Sequence, residues 1–260
     1  MSQSKLSYRA EIDGLRAIAV LSVIFYHAQF ILFGRDWFEG GYIGVDIFFV
    51  ISGYLITRII LAELQEEGGF SFLNFYQRRA RRILPMLFVV IIVSVPFAWH
   101  KLWLSDFVEY AESLLASLFF GSNLFFYFNA TGYATDSALL KPFLHTWSLG
   151  VEEQFYLIFP ILAIAAYRYC RKYFLAILVF SCLLSLLFAE LMQARDQTLN
   201  FYILLSRFWE LAIGSVLAYV ELNRKVLQNN AFRSLLPTLG LLLITYSVLV
   251  FDDKTPHPSL

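Results

Sequence analysis

The chain has 260 residues, of which 59% are hydrophobic and 18% aromatic but only 15% charged, against roughly 45–50% apolar and about 25% charged in an ordinary soluble domain. That excess exceeds what a core of this size hides, and the same figures exclude collagen, coiled coil, disordered tail and disulfide-stapled module. Lys and Arg balance Asp and Glu at 20 each, so no net field draws the chain to nucleic acid, and a protein whose solvent is largely lipid remains.

Met1–Ala10 is polar and precedes an apolar stretch without a small-residue cleavage site, which predicts a retained cytoplasmic tail rather than a signal peptide. A spanning helix needs about 20 mostly apolar residues. In chain order the candidates are Ala17–Phe33, Tyr42–Ala62, Ile83–Trp99, Ser113–Phe128, Trp147–Tyr167, Tyr173–Glu190, Phe201–Glu221 and Leu235–Phe251. Charge placement removes one of them as a crossing. Phe75–Arg82 reads FYQRRARR, and Arg168, Arg171 and Lys172 form a second basic group, with Arg224, Lys225 and Arg233 a third. All three fall on the cytoplasmic side only if one segment between Arg82 and Trp147 does not cross. Ser113–Phe128 is the weakest, because Asp106, Glu109 and Glu112 precede it and Gly121-Ser122-Asn123 interrupts it. The outer loops then collect only Arg35, Lys101, Lys141, Arg195 and Lys254. The expected fold is an all-α polytopic transmembrane helical bundle of about seven spans plus one re-entrant or interfacial helix, its N-terminus cytoplasmic. The ending, Asp252–Leu260, reads as an outer loop punctuated by proline, and the chain is expected to continue in the whole protein.

Ionisable groups inside spans are costly and are functional candidates by default. Arg16 sits at the inner end of the first span, and His27 lies 11 residues on, about 16 Å further into the bilayer. Asp46 falls near the outer third of the second span and Arg58 near its inner end. Glu152 and Glu153 open the fifth segment from the outside, and Arg207 and Glu210, spaced i, i+3, can face the same way. Each also has a plainer account. A lone intramembrane histidine is often a packing residue bonded to backbone, Arg207–Glu210 suits a structural ion pair, and juxtamembrane arginines are usual topology signals or lipid anchors. Gly40-Gly41, Gly44 and Gly53 most simply allow close helix approach, and Asn129-Ala130-Thr131 fits a short glycosylation pattern. Cys170 and Cys182 are too far apart on one helix for a disulfide, and no Cys/His spacing predicts a metal site.

Taken together these residues resemble one family. YRAEIDGLRA (Tyr8–Ala17) followed by FYHA (Phe25–Ala28) is similar to the opening of the acyltransferase family 3 integral membrane proteins. GGYIGVDIFFVISGYLIT (Gly40–Thr57), FYQRRARRILP (Phe75–Pro85), KPFLHTWSLGVEEQFYLIFP (Lys141–Pro160), RFWELAIGSVLAY (Arg207–Tyr219) and FDDKTPHP (Phe251–Pro258) resemble it segment by segment. The resemblance implies a bacterial O-acyltransferase of the cell-surface glycan or lipopolysaccharide type in the inner membrane, with residues 1–260 forming an incomplete transmembrane domain. About three further spans and a C-terminal SGNH-type domain are expected outside this chain. It implies that His27 is the essential histidine, with Arg16 as its basic partner. An Arg-x-x-Arg pair, either Arg78/Arg81 or Arg79/Arg82, would serve a cytoplasmic acyl-CoA, in first place acetyl-CoA, and no metal is implied.

Physical chemistry fits that division. Guanidinium groups grip phosphates bidentately, so Arg78, Arg79, Arg81, Arg82 and Arg58 make a sensible dock for coenzyme A. An imidazole at mid-membrane can act as base on a sugar hydroxyl or take the acyl group itself. Glu152 and Glu153 would orient it, and Arg16 would favour the leaving thiolate. Asp46, Trp147, Arg207 and Glu210 are then candidates for holding the acceptor, a cell-surface glycan or lipid-linked saccharide. The competing reading is a secondary transporter of an anionic substrate with His27, Asp46 and Glu153 as a proton relay; it expects internal repeats and paired broken helices, which the sequence lacks.

Overall fold

The computed structural model describes residues 9–29, 31–33, 35–65, 69–129, 141–223, 230–252, 255 and 257–258. The expected cytoplasmic tail up to Tyr8, the basic residues Arg224 and Lys225, and Ala130-Thr131 of the glycosylation pattern lie outside the described residues.

Helix α1 (Ala10–His27) starts with Glu11 and Asp13 in its first turn, where acidic groups complement the helix dipole. It ends six residues before the predicted Phe33. Gln29 takes a left-handed backbone (φ 46°), as does Phe33 (φ 56°), and between and beyond them β1 (Ile31–Leu32) pairs antiparallel with β2 (Arg35–Asp36). A 3₁₀ turn, Glu39–Tyr42, leads into α2 (Ile43–Gln65). Helix α3 (Phe72–Lys101) is capped by Ser71, whose Oγ accepts from Asn74 N at 3.4 Å. Then come α4 (Leu104–Leu118), α5 (Ser122–Phe128), α6 (Thr146–Tyr169), α7 (Phe174–Gln193), the short α8 (Gln197–Tyr202), α9 (Leu204–Asn223) and α10 (Asn230–Val250).

The all-helical, polytopic reading holds, the small hairpin being its one departure among the described residues. Helices α2, α3, α6, α7 and α9 are each long and apolar enough to cross a membrane. Helix α1 has Glu11, Asp13 and Arg16 in its first two turns, and α10 offers the shorter apolar stretch Leu235–Val250. These seven helices overlap the seven expected spans. The segment predicted not to cross is broken at Phe119–Gly121, with Phe120 left-handed (φ 53°). Its pieces of 15 and 7 residues reach only about 22 and 10 Å at 1.5 Å per residue. Cys170 closes α6 and Cys182 lies within α7, both free thiols.

Chain direction defines two ends. Helices α1, α3, α7 and α10 begin at the end carrying Arg9, Arg58 and Arg78–Arg82, here the basic end, and finish at the hairpin end. Helices α2, α6 and α9 run the other way. The centre is the parallel crossing of α2 and α9. A side chain at Gly53 would strike the Leu211 carbonyl, and one at Gly214 the Val50 carbonyl and Tyr54 N. Gly41 and Gly44 admit α1 in the same manner, through the Ser22 and Ala19 carbonyls, and Gly40 admits Ser247 of α10. Small residues permit such backbone contact where lipid supplies no hydrophobic drive between helices. Helix α3 is the opposite case: Phe75, Leu87 and Ala98 are buried, whereas Phe88, Val89, Ile92, Val93 and Phe97 are exposed.

Candidate functional site

The polar side chains line up along α2. Ser52, Tyr54 and Arg58 lie about 9, 12 and 18 Å below Asp46 at 1.5 Å per residue, and each collects partners from neighbouring helices.

At the hairpin end Arg207 on α9 is fully buried, its side chain 1% exposed. Its Nη1 lies 3.3 Å from Asp46 Oδ1, 3.1 Å from Glu210 Oε1 and 2.7 Å from His257 Nε2. Nε donates to the Phe201 carbonyl at 3.1 Å. The guanidinium also lies over Phe201 (4.8 Å) and Trp147 (5.4 Å), so its apolar faces are sandwiched while its edges are bonded. The break between α8 and α9 frees the Phe201 carbonyl for this bond, and i, i+3 spacing brings Glu210 alongside. Arg207 Nη2 and Glu210 Oε2 are buried without a hydrogen-bond partner among the described residues.

Midway along α2, Ser52 Oγ donates to Glu152 Oε1 at 2.8 Å, and Tyr156 OH donates to Glu152 Oε2 at 3.2 Å. Arg79 reaches this point from the basic end of α3 and lies over the Tyr156 ring at 4.9 Å and over Phe75 at 5.7 Å. Arg16 is within electrostatic reach of Glu152 and is 3.6 Å from Asp13. Glu153 Oε1 is buried with no partner. The four arginines of α3 thus divide. Arg79 turns inward with Arg82 one turn on, Arg78 pairs with Glu63 at 2.5 Å, and Arg81 and Arg82 are exposed. At the basic end Arg9 donates to Tyr54 OH (2.7 Å) and Glu221 (2.5 Å), Tyr54 OH donates to Glu221 (2.6 Å), and Arg58 lies 3.4 Å from Tyr54 OH.

His27 differs from expectation. Because α1 starts at Ala10 and stops at His27, the residue stands in the last turn at the hairpin end, exposed, rather than midway. Its Nδ1 lies 2.8 Å from the Val23 carbonyl oxygen. A row of rings runs from it through Tyr26 (5.1 Å) and Tyr42 (6.0 Å) to His257 (4.9 Å). His145, just ahead of α6, is also near. Protein crowded around its ring strips water from it although an edge stays exposed, and His27 adds like charge. Both push the His145 imidazole below its ordinary value, against a backbone hydrogen bond that acts the other way.

The structure therefore joins Asp46, Trp147, Arg207 and Glu210 in one cluster, and Glu152 with Arg79 and Arg16 in another, and leaves Arg78, Arg81 and Arg82 on the surface. Sequence reasoning missed Ser52, Tyr54, Tyr156 and His257. Tyr54–Arg58 and Glu152–Tyr156 are i, i+4 pairs and were legible as such; His257 lies in the family-like FDDKTPHP segment, but its wording does not say which residue meets the bundle.

Comparison with known proteins now decides the family. The model of an acyltransferase domain, acyltransferase 3, matches residues 9–257. The chain belongs to this family. It is 37% identical over 219 residues to the peptidoglycan O-acetyltransferase OatA of Listeria monocytogenes, covering 82% of this chain and 34% of that protein. It is 36% identical over 240 residues to the putative peptidoglycan O-acetyltransferase YrhL of Bacillus subtilis, covering 89% and 36%. The chain thus spans about a third of the length of these curated relatives. No solved structure matches it. Every cluster described above falls within the residues matched by the acyltransferase 3 model.

Proposed function

We propose that this acyltransferase 3 chain is the membrane part of a bacterial O-acetyltransferase. It moves an acetyl group from cytoplasmic acetyl-CoA at the basic end to a hydroxyl of a cell-surface glycan at the hairpin end. The names of its relatives favour a peptidoglycan-type saccharide as acceptor over lipopolysaccharide. The basic end faces the cytoplasm of an inner-membrane protein, in keeping with the positive-inside rule.

The observation that carries this reading is Arg79. It links the exposed arginines of α3 to Tyr156 and the Ser52–Glu152 pair halfway along α2. Arg82, Arg81, Arg78 and Arg58 would take the phosphates of coenzyme A, for which guanidinium is suited. Arg79 and Arg16 would line the way of the thioester arm from the basic end toward His27 and draw the thiolate back once it is released. At the other end Asp46, Arg207, Glu210 and Trp147 would hold the saccharide. The hydroxyl oxygen attacks the thioester carbonyl carbon, its proton passes to the His27 imidazole, the C–S bond breaks, and the thiolate is released for protonation on the cytoplasmic side. Glu152 and Glu153 act as carboxylate partners along the donor's path.

The test uses the full-length protein in detergent, with acetyl-CoA consumption and acyl-CoA binding as separate readouts. Arg79→Gln with Arg82→Gln is expected to weaken acyl-CoA binding about tenfold or more, one charge-assisted hydrogen bond being about 1.5–3 kcal/mol. His27→Ala is expected to leave binding intact and lower transfer by about 10²–10⁴-fold. Unaltered donor affinity in the arginine variant, or uptake of an anionic solute with no acetyl-CoA consumption, refutes the proposal.

A further inference from the structure

We propose that His257, carried back to the bundle by the segment after α10, is a positioning residue of the acceptor site. This rests on the acceptor role given above to Asp46, Arg207 and Glu210. Its Nε2 lies 2.7 Å from Arg207 Nη1 and 3.3 Å from Asp46 Oδ1. Guanidinium only donates, so the short contact makes Nε2 the acceptor and leaves the ring proton on Nδ1. With His257, Asp46 and Glu210 on Nη1 and the Phe201 carbonyl on Nε, the guanidinium is fixed in rotation. Its Nη2 is then left as a buried donor, with Glu210 Oε2 as a buried acceptor.

That pair of orphans describes the ligand. A group that accepts from N–H and donates to a carboxylate at once is a hydroxyl, which saccharides carry at most ring positions. Asp46 and His257, each 20% exposed, are the accessible members of the cluster, and Arg207 and Glu210, each 1% exposed, are the enclosed ones. The groups facing the imidazole are Asp46 from α2, Arg207 from α9 with Glu210 behind it, and the ring of Tyr42, whose hydroxyl bonds the Asp252 carbonyl of the same returning segment. Without the Nε2 lone pair Nη1 loses its shortest contact, the guanidinium is less firmly held, and acceptor binding weakens.

The experiment uses the full-length protein with acetyl-CoA and a glycan fragment as acceptor. His257→Ala is expected to raise the acceptor KM about tenfold, leaving acyl-CoA binding and donor KM unchanged. His257→Gln, whose amide oxygen can still accept from Arg207, should restore the acceptor KM. A second readout needs no turnover. A cysteine replacing Thr255, in a background lacking Cys170 and Cys182, should label faster in the His257→Ala protein and return toward the wild-type rate in His257→Gln. If the wild type consumes no acetyl-CoA, the function proposed above fails, and the labelling still judges His257. An unchanged acceptor KM in His257→Ala, no recovery of that KM in His257→Gln, or labelling unaltered in His257→Ala overturns the assignment.

Discussion

Arg207 and the arginine row of α3 use one side chain in opposite surroundings. Arg207 is enclosed between Trp147 and Phe201 and neutralised by Asp46 and Glu210, whereas Arg78 pairs with Glu63 at a half-exposed edge and Arg81 and Arg82 are exposed. Removing water from a charge raises both the cost of placing it and the penalty for breaking its partnership. The exposed arginines keep their hydration and are free to exchange it for phosphate. The difference separates a charge that organises the fold from charges available to a ligand, and Arg79, part-buried over Tyr156, stands between the two.

The largest effect should come from breaking the buried side. Arg207→Ala strands Asp46 and Glu210 in the interior and is expected to destabilise the protein by about 3–5 kcal/mol, read by thermal unfolding in detergent. Arg81→Gln should stay within about 0.5 kcal/mol. Equal effects of the two would erase the distinction.

Next is the crossing that lets Asp46 on α2 meet Arg207 on α9. Gly53→Ala places a methyl group on the Leu211 carbonyl, an overpacking expected to cost about 1–3 kcal/mol. Gly14→Ala, where nothing lies within 4 Å, should be neutral or stabilise α1 by up to about 1 kcal/mol. Parallel measurements of the two variants test whether close approach, rather than helix propensity, is what Gly53 supplies.

A smaller change should follow at mid-depth. Ser52→Ala removes the 2.8 Å bond to Glu152 and is expected to cost about 1 kcal/mol. If Glu152 belongs to the donor's path, the same variant should also alter the kinetics of acetyl-CoA consumption. A variant with wild-type stability and kinetics would place Glu152 with the merely packed groups.

The smallest effect is pH-dependent. The folded state holds the His145 imidazole below its ordinary value, so between the folded and unfolded values the unfolded chain binds more protons and stability rises with pH. The His145 contribution is present above the unfolded value near 6.5 and is lost as pH falls through the folded one. His145→Asn should flatten that part of the stability profile. His27→Asn should flatten it partly, because its charge is the secondary cause.

Much of this was legible along the chain. Apolar runs and arginine placement located the spanning helices, and the Gly-Ser-Asn interruption and acidic approach marked the α4–α5 break. Gly41, Gly44 and Gly53 were correctly read as points of close approach. Of the candidate carboxylates, Asp46 and Glu210 proved to pair with Arg207, whereas Glu152 bonds Ser52 and Tyr156 in a second cluster. What sequence could not supply was rotation. It left Arg78/Arg81 and Arg79/Arg82 equivalent, and only the lie of α3 beside α6 and α2 turns Arg79 to Tyr156 and Arg78 to Glu63. His27 was placed too deep because helix ends depend on backbone conformations, such as the left-handed Gln29, that hydrophobic runs do not encode.

The sequence by itself determined the solvent, the helices and the family, because hydrophobic length, charge asymmetry and motif wording are properties of neighbours along the chain. Tertiary structure alone decided which polar groups meet. Ser52 with Glu152 and Arg207 with Asp46 and His257 are separated by 50 to 161 residues. Asp46 meets Arg207 because Gly53 and Gly214 let the backbones of α2 and α9 touch, which fixes the depth and rotation of the side chains along that contact.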